Sequence, residues 1–342
     1  MALGDGESDL GAYRGDRVVV RYLLGEATPA DWRDSPNPAP ARSGGPAQSD
    51  VTGFLLDDGD PVRLDRNGTV EEIPRTAITS LRVISAVPLR NSEIRALEYA
   101  AAAAWPGTEQ AWIDGWLVRA GAGISRRANS AIALDRSARL DPATRSAIES
   151  WYAARDLPTL IATPERLVSP GIDGVPASAV IHVLTAGPIP DHSVSDRPCP
   201  EHLDLVLRPT PTPNWLRAYL GPDTDITAAT AVVGATLDDA PVTFAAIEDA
   251  GRPIAIGRGA VTESPDGSRM LGLTALWTDP ARRRQHLGDS ILTRLRLWGA
   301  ENGAGRTYLQ VESGNRIAGT WYRARGFALH HRYRYIKPRT SS

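Results

Sequence analysis

The stretch from Leu271 to Phe327 constrains this chain most, because its succession of apolar runs and breakers fits few folds. Leu271 to Thr278 is an apolar run with β-branched Thr274 and Thr278, the composition of a strand. Asp279-Pro280 ends it, since Pro280 has no N–H to give to a ladder. Arg282, Arg283 and Arg284 follow. Leu287, Ile291, Leu295 and Trp298 then recur at helical spacing and predict a buried stripe, with Gly299 and Asn302-Gly303 marking the end. Tyr308, Leu309 and Val311 predict a short strand. Asn315 can cap a last helix that runs to Arg325 and stops at Gly326.

A turn that opens into a helix is a natural anion site. The first N–H groups of the helix have no internal partner, and the macrodipole adds partial positive charge there. A pyrophosphate would rest on the backbone amides of Gln285, His286, Leu287, Gly288 and Asp289, with Arg283 and Arg284 outside. Taken alone, the turn also reads as an ordinary solvated helix start.

The second half of the stretch adds a pattern. Arg283-Arg284-Gln285-His286-Leu287-Gly288 after Asp279-Pro280, followed by Asn315, Ala318, Tyr322, Gly326 and Phe327, resembles the motifs of the GNAT superfamily of acetyl-CoA-dependent N-acetyltransferases. The resemblance implies an α+β GNAT fold, a mixed central sheet flanked by helices, with acetyl-CoA as cosubstrate. It implies that Leu276 and Thr278 offer backbone amides to the thioester from a splayed central strand, that Asn315 bonds the pantetheine arm, and that Tyr322 is the acid for the departing thiolate. The sequence departs from the family at His286, which stands where the first glycine is usual. A histidine still offers its N–H but resists positive φ and close approach, so cofactor affinity is where the departure would tell.

The 342 residues suggest two or three domains. Charge is near balance, 38 basic against 40 acidic residues, which does not point to a nucleic-acid or membrane partner. Lys337 is the single lysine, so the chain offers almost nothing for self-acetylation. One cysteine, Cys199, excludes an internal disulfide framework, and a reducing cytoplasm fits. No run approaches transmembrane length and the first residues lack a basic-then-apolar pattern, so a soluble, cytoplasmic protein is expected.

From the start, strands are expected at 16–24, 51–56, 61–64, 69–73 and 78–84, around a flexible loop at 26–50 and an Asn67-Gly68 hairpin turn. They predict a small antiparallel β-barrel over residues 1–88. Residues 89–205 follow as helix, strands, helix and strands. This region predicts a degenerate GNAT-like half of a tandem, without the arginine turn. In it 112–120 reads as one strand and 128–134 as another, and Asp141-Pro142 opens a helix. The acetyl-CoA-binding half is expected over 206–342, ending in one strand whose His330 and His331 face solvent. Neither a metal-ligand spacing nor a serine-hydrolase motif is present.

Transfer to an amine needs a base, because a primary amine is mostly protonated at neutral pH. Glu312, at the end of the second motif strand, is the candidate, with a plain surface carboxylate as the alternative. The order of barrel, degenerate half and GNAT half also resembles actinobacterial N-acetylglutamate-synthase-like proteins. That resemblance points to a small amine acceptor, L-glutamate or a relative, with Arg127, Asn129 and Ser130 as substrate residues; a structural turn is the other reading of those three. A protein lysine acceptor, a non-catalytic acetyl-CoA sensor and nucleic-acid binding by the barrel are the alternatives. The sequence does not specify an oligomeric state.

Overall fold

The computed structural model describes residues 12–29, 47–168, 172–188 and 203–339. Most of the loop expected at 26–50, and Cys199, lie outside the described residues. In chain order the elements are β1 (Arg17–Leu23), β2 (Gln48–Asp57), β3 (Val62–Arg66), β4 (Thr69–Ile73), β5 (Ile78–Ile84), α1 (Asn91–Ala103), β6 (Glu109–Ile113), β7 (Trp116–Ala120), β8 (Ala131–Ala133), α2 (Pro142–Ala153), β9 (Ile161–Ala162), β10 (Gly174–Pro176) and β11 (Ile181–Ala186). They continue with β12 (Asp204–Arg208), α3 (Pro213–Leu220), α4 (Ile226–Gly234), β13 (Val242–Asp249), β14 (Arg252–Glu263), β15 (Arg269–Thr278), α5 (Leu287–Glu301), β16 (Arg306–Glu312), α6 (Arg316–Arg323), β17 (Ala328–Tyr333) and β18 (Tyr335–Pro338). Two compact units result: Met1–Leu89 with Arg316–His330, and Arg90–Asn315 with His331–Ser342.

The first unit carries a five-stranded antiparallel sheet of order β4-β3-β2-β1-β5. Strand β2 begins at Gln48, earlier than expected, because it pairs with the whole of β1, from Leu23↔Gln48 to Arg17↔Phe54. Among the described residues no ladder joins β4 to β5, so the observed pairing is that of an open sheet. Helix α6 belongs to this unit. Arg323 on it forms a bidentate ion pair with Asp16, at 2.6 and 3.2 Å, and lies over the ring of Tyr13 at 4.0 Å.

The second unit holds two mixed sheets. One has the order β12-β13-β14-β15-β16-β11-β17, of which His331–Tyr333 in β17 belong to this unit; the other is β10-β18-β9-β8-β7-β6. Each contains a parallel pair crossed by a helix: β15 and β16 across α5, and β8 and β9 across α2. The halves exchange strands. β11, from the earlier half, pairs with β16, and β18, from the end of the chain, pairs with β9 and β10. Residues 206–342 therefore do not close their sheet without β11, nor 89–205 theirs without β18.

Three expectations are corrected here. The run 112–120 is part of a hairpin, because Asp114 and Gly115 both take positive φ (45° and 84°), the two-residue turn that suits strand twist. The expected 128–134 strand is a tight 3-10 turn at Arg126–Ala128 followed by β8. The final strand is two, β17 and β18, in different sheets, and His330 and His331 are buried instead of solvated. Helix α4, capped by the Asp225 carboxylate on the amides of Thr227 and Ala228, was not foreseen.

Two features fix the core around α5. Gly257 on β14 leaves room for the helix, since a Cβ there would lie 2.7 Å from Ile291 and 2.8 Å from Leu295. Next to it Arg258, fully buried without a carboxylate partner, donates to the carbonyls of Ala104, Val233 and Ala235 and lies 4.7 Å from the Trp105 ring centre. It ties the ends of α1 and α4 to the sheet. Desolvation pushes its pKa down to about 10.

Candidate active site

The centre of the site is a break in β15. Register with β14 runs Arg258↔Thr274 and then Ile256↔Trp277, so Ala275 and Leu276 both stand opposite Gly257. Ala275 takes φ 54°, the signature of a bulge. The parallel ladder to β16 covers Met270↔Arg306 to Leu273↔Leu309 and ends there. Beyond the bulge β15 is thus held on the β14 side alone. The Asp279 amide donates to Ile254 O at 2.9 Å. Since successive amides alternate across a strand, Trp277 N–H faces β14 while those of Leu276 and Thr278 face the gap beside β16.

After Pro280 the chain turns into α5. Arg284 and His286 take φ 62° and 60°, so the histidine adopts the left-handed conformation despite its Cβ. His286 Nδ1 lies 3.3 Å from Asp289 Oδ2, and its carbonyl accepts the Asp289 and Ser290 amides. It gives α5 no side-chain cap. The equivalent helix of the earlier half differs. There Asp141 accepts the Thr144 amide at 2.9 Å, so α2 carries its own carboxylate at the place where an anion would bind. Arg282 is tied to Asp249, and Arg252 to Asp279 at 2.9 Å, which fix the turn. Arg283, Arg284 and Gln285 are exposed, with Leu287 buried beneath and Gly288 and Asp289 half-buried. An uncapped helix start, two exposed arginines and a splayed strand fit the phosphates and thioester of acetyl-CoA.

A cavity of about 370 Å³ lies in the same unit, lined by Arg126, Arg127, Gln310, Glu312, Tyr333 and Tyr335 among others. Gln310 and Glu312 belong to the part of β16 that β15 has left. Arg126 pairs with Glu312 at 2.7 Å, both about half exposed, and Arg127 Nε donates to Gln310 Oε1. Of the expected substrate residues, only Arg127 reaches this cavity. Asn129 is buried, accepts from the Gly121 and Gly123 amides and donates to the Ser125 and Gly121 carbonyls, so it shapes the loop. Ser130 is buried against Arg119. Asn315 stands immediately before α6. Tyr322 lies on α6 in the first unit, buried edge-on to Trp321 and Phe327. Sequence reasoning passed over Arg126, Gln310, Tyr333 and Tyr335; the period-two spacing of Gln310 and Glu312 on one strand face was the available signal.

Residues 91–336 match the family described as "Probable histone acetyltransferase Rv0428c C-terminal". The chain is 36% identical over 326 residues, 94% of each chain, to the probable histone acetyltransferase Rv0428c of Mycobacterium tuberculosis. Among solved structures, a GCN5-related N-acetyltransferase from Kribbella flavida is similar over 73% of this chain and 96% of its own, with TM-score 0.50 and 18% identity. A tandem GNAT protein from the clavulanic acid biosynthesis pathway is similar over 65% and 76%, with TM-score 0.45 and 11% identity. With the bulged strand and open helix start already in place, the family match and the mycobacterial relative make the chain a member of the Rv0428c C-terminal family, an acyltransferase whose fold is of the GNAT type.

Proposed function

We propose that the acceptor is a small primary amine bearing at least one carboxylate, with L-glutamate the first choice, bound in the cavity beside β16. The observation that carries this reading is the placing of two arginines, Arg126 and Arg127, and one carboxylate, Glu312, around about 370 Å³. That volume suits an amino acid, and the surplus cation suits its carboxylate. In this reading Arg127 exchanges Gln310 for the acceptor's carboxylate. Glu312, the base expected from sequence, is held by Arg126 and attracts the acceptor's ammonium group.

The amine nitrogen attacks the thioester carbonyl carbon. The oxyanion forms against the Leu276 and Thr278 amides, and the C–S bond breaks as it collapses. Gln285 to Asp289, with Arg283 and Arg284, hold the phosphates, and Asn315 contacts the pantetheine arm, a role that follows from the family resemblance. A lysine side chain of a protein is the second reading, supported by the name of the mycobacterial relative.

Thiol release at saturating acetyl-CoA, with L-glutamate, other amino acids, polyamines and basic peptides, separates the two. Arg127→Gln is expected to raise KM for a carboxylate acceptor about ten- to a hundredfold, the value of a charge-assisted hydrogen bond, and to leave KM for acetyl-CoA unchanged. Turnover with basic peptides alone, indifferent to Arg127→Gln, would sink the small-acceptor reading.

A further inference from the structure

Behind the acceptor cavity lies a second, inner chamber of about 20 Å³, lined by Glu98, Arg119, Arg127, Gln310, Tyr333 and Tyr335 with apolar neighbours. Four residues, Arg127, Gln310, Tyr333 and Tyr335, line both spaces and form the partition between them. The chamber has room for one water, which needs two to four polar partners. The partners are there. Glu98 is 3% exposed and Arg119 4%, and Arg119 Nε donates to no protein group. A guanidinium N–H does not remain in an apolar core without a partner, because desolvation is too costly. On its far side Glu98 Oε1 lies 2.7 Å from Nε2 of the fully buried His331. Toward the cavity, the hydroxyls of Tyr333 and Tyr335 are 3.3 Å apart.

We propose that the Glu98–His331 pair is the terminal proton acceptor of the reaction, reached from the acceptor cavity through Tyr335, Tyr333 and one water in the inner chamber. The acceptor's ammonium gives a proton to the Tyr335 oxygen, which passes its own to Tyr333. Tyr333 passes its own to the water, and the water gives one to Glu98. Each relay member loses one proton and gains one, and the pair gains one. The neutral amine then attacks. The second proton it loses goes to the departing thiolate, and the pair releases the first to solvent after the product leaves. Tyr333 suits a relay that hands protons on, because burial, reinforced by Tyr335, holds its pKa well above the usual phenol value and keeps it from ionising. Glu98, on α1, is faced by His331 and Tyr333 from β17, Arg119 from β7 and Tyr308 from β16.

The test is the pH profile of thiol release at saturating acetyl-CoA, with L-glutamate and a lysine-containing basic peptide run in parallel. Glu98→Gln keeps volume and a hydrogen bond to His331 but accepts no proton. Its kcat/KM for the acceptor should fall about a hundredfold near neutral pH, an ordinary acid–base contribution. The deficit should shrink to within about threefold near pH 10, where the amine is increasingly neutral unaided. Tyr333→Phe should give the same profile, and serves if Glu98→Gln does not fold. A loss equal at every pH, or none, overturns the proposal, as does a pH-dependent loss confined to Glu312→Gln. The inference rests on the acceptor's amine entering the outer cavity. If Arg127→Gln leaves acceptor KM unchanged while Glu98→Gln shows the pH-dependent loss, the acceptor assignment fails and the proton route stands.

Discussion

Substituting Gly257 by alanine tests the coupling between helix packing and the bulge of β15. The added Cβ would lie 2.7 Å from Ile291 Cγ2, 2.8 Å from Leu295 Cδ1 and 2.9 Å from Leu276 Cδ2, all nearer than real Cβ contacts come. Ile291 and Leu295 are fully buried, so they have nowhere to turn, and Leu276 belongs to the bulge itself. Overpacking of this kind costs about 1–3 kcal/mol, against which the loss of glycine's freedom in the unfolded chain returns about 0.4–1 kcal/mol. The net expectation is a destabilisation of about 1–2 kcal/mol. Moving Leu276 also displaces one of the two amides aimed into the gap, so KM for acetyl-CoA should rise severalfold. Gly305→Ala is the control: nothing lies within 4 Å of its Cβ position, and its N–H bond to the Arg269 carbonyl survives. Equilibrium urea unfolding followed by tryptophan fluorescence, with acetyl-CoA kinetics on the same samples, reads both effects. If Gly257→Ala matches Gly305→Ala within about 0.5 kcal/mol, the close packing of α5 on β14 is refuted.

Two further substitutions bear on the same unit. His286→Gly removes a Cβ from a left-handed position, a relief of about 1 kcal/mol, and opens the turn to close approach; the expected result is a lower KM for acetyl-CoA, and an unchanged one means that the histidine is no impediment. Arg258→Met leaves the carbonyls of Ala104, Val233 and Ala235 without their donor and should cost about 3–5 kcal/mol, read as a fall in thermal midpoint. Arg258→Lys should not restore it, because one ammonium cannot reproduce a planar fork that reaches both helix ends.

The turn between β15 and α5 was legible because it is local. Strand, proline stop, turn and helix start are neighbours in sequence, and their hydrogen-bonding needs are met by backbone within a few residues. The same holds for the Asp141-Pro142 helix start, where cap and first-turn proline are adjacent. The acceptor side was legible only in part. Arg127 was named from its stretch, but the same stretch suggested Asn129 and Ser130, which the fold turns inward. Polar residues at consecutive positions of a tight turn look alike until the turn's own amides claim some of them. His330 and His331 were misplaced for a related reason: alternation cannot tell a solvated face from one covered by another element, and α1 with Glu98 covers His331.

The sequence by itself determined that this chain builds an arginine-bearing turn between a strand and a helix, with helical and strand periods and breakers that depend only on nearest neighbours. It also determined the charge and residue inventory, a near-neutral chain with one lysine. Tertiary structure decided the rest. It alone brought β11 into the sheet of the later half and β18 into that of the earlier half, because strand partners are chosen by edges left open elsewhere in the chain. That exchange sets Arg126 and Arg127 against Gln310 and Glu312, about 183 residues apart. It also buries Glu98 on His331, a pairing with no signature in sequence spacing, since a buried charge is satisfied by whatever partner the packing brings within reach.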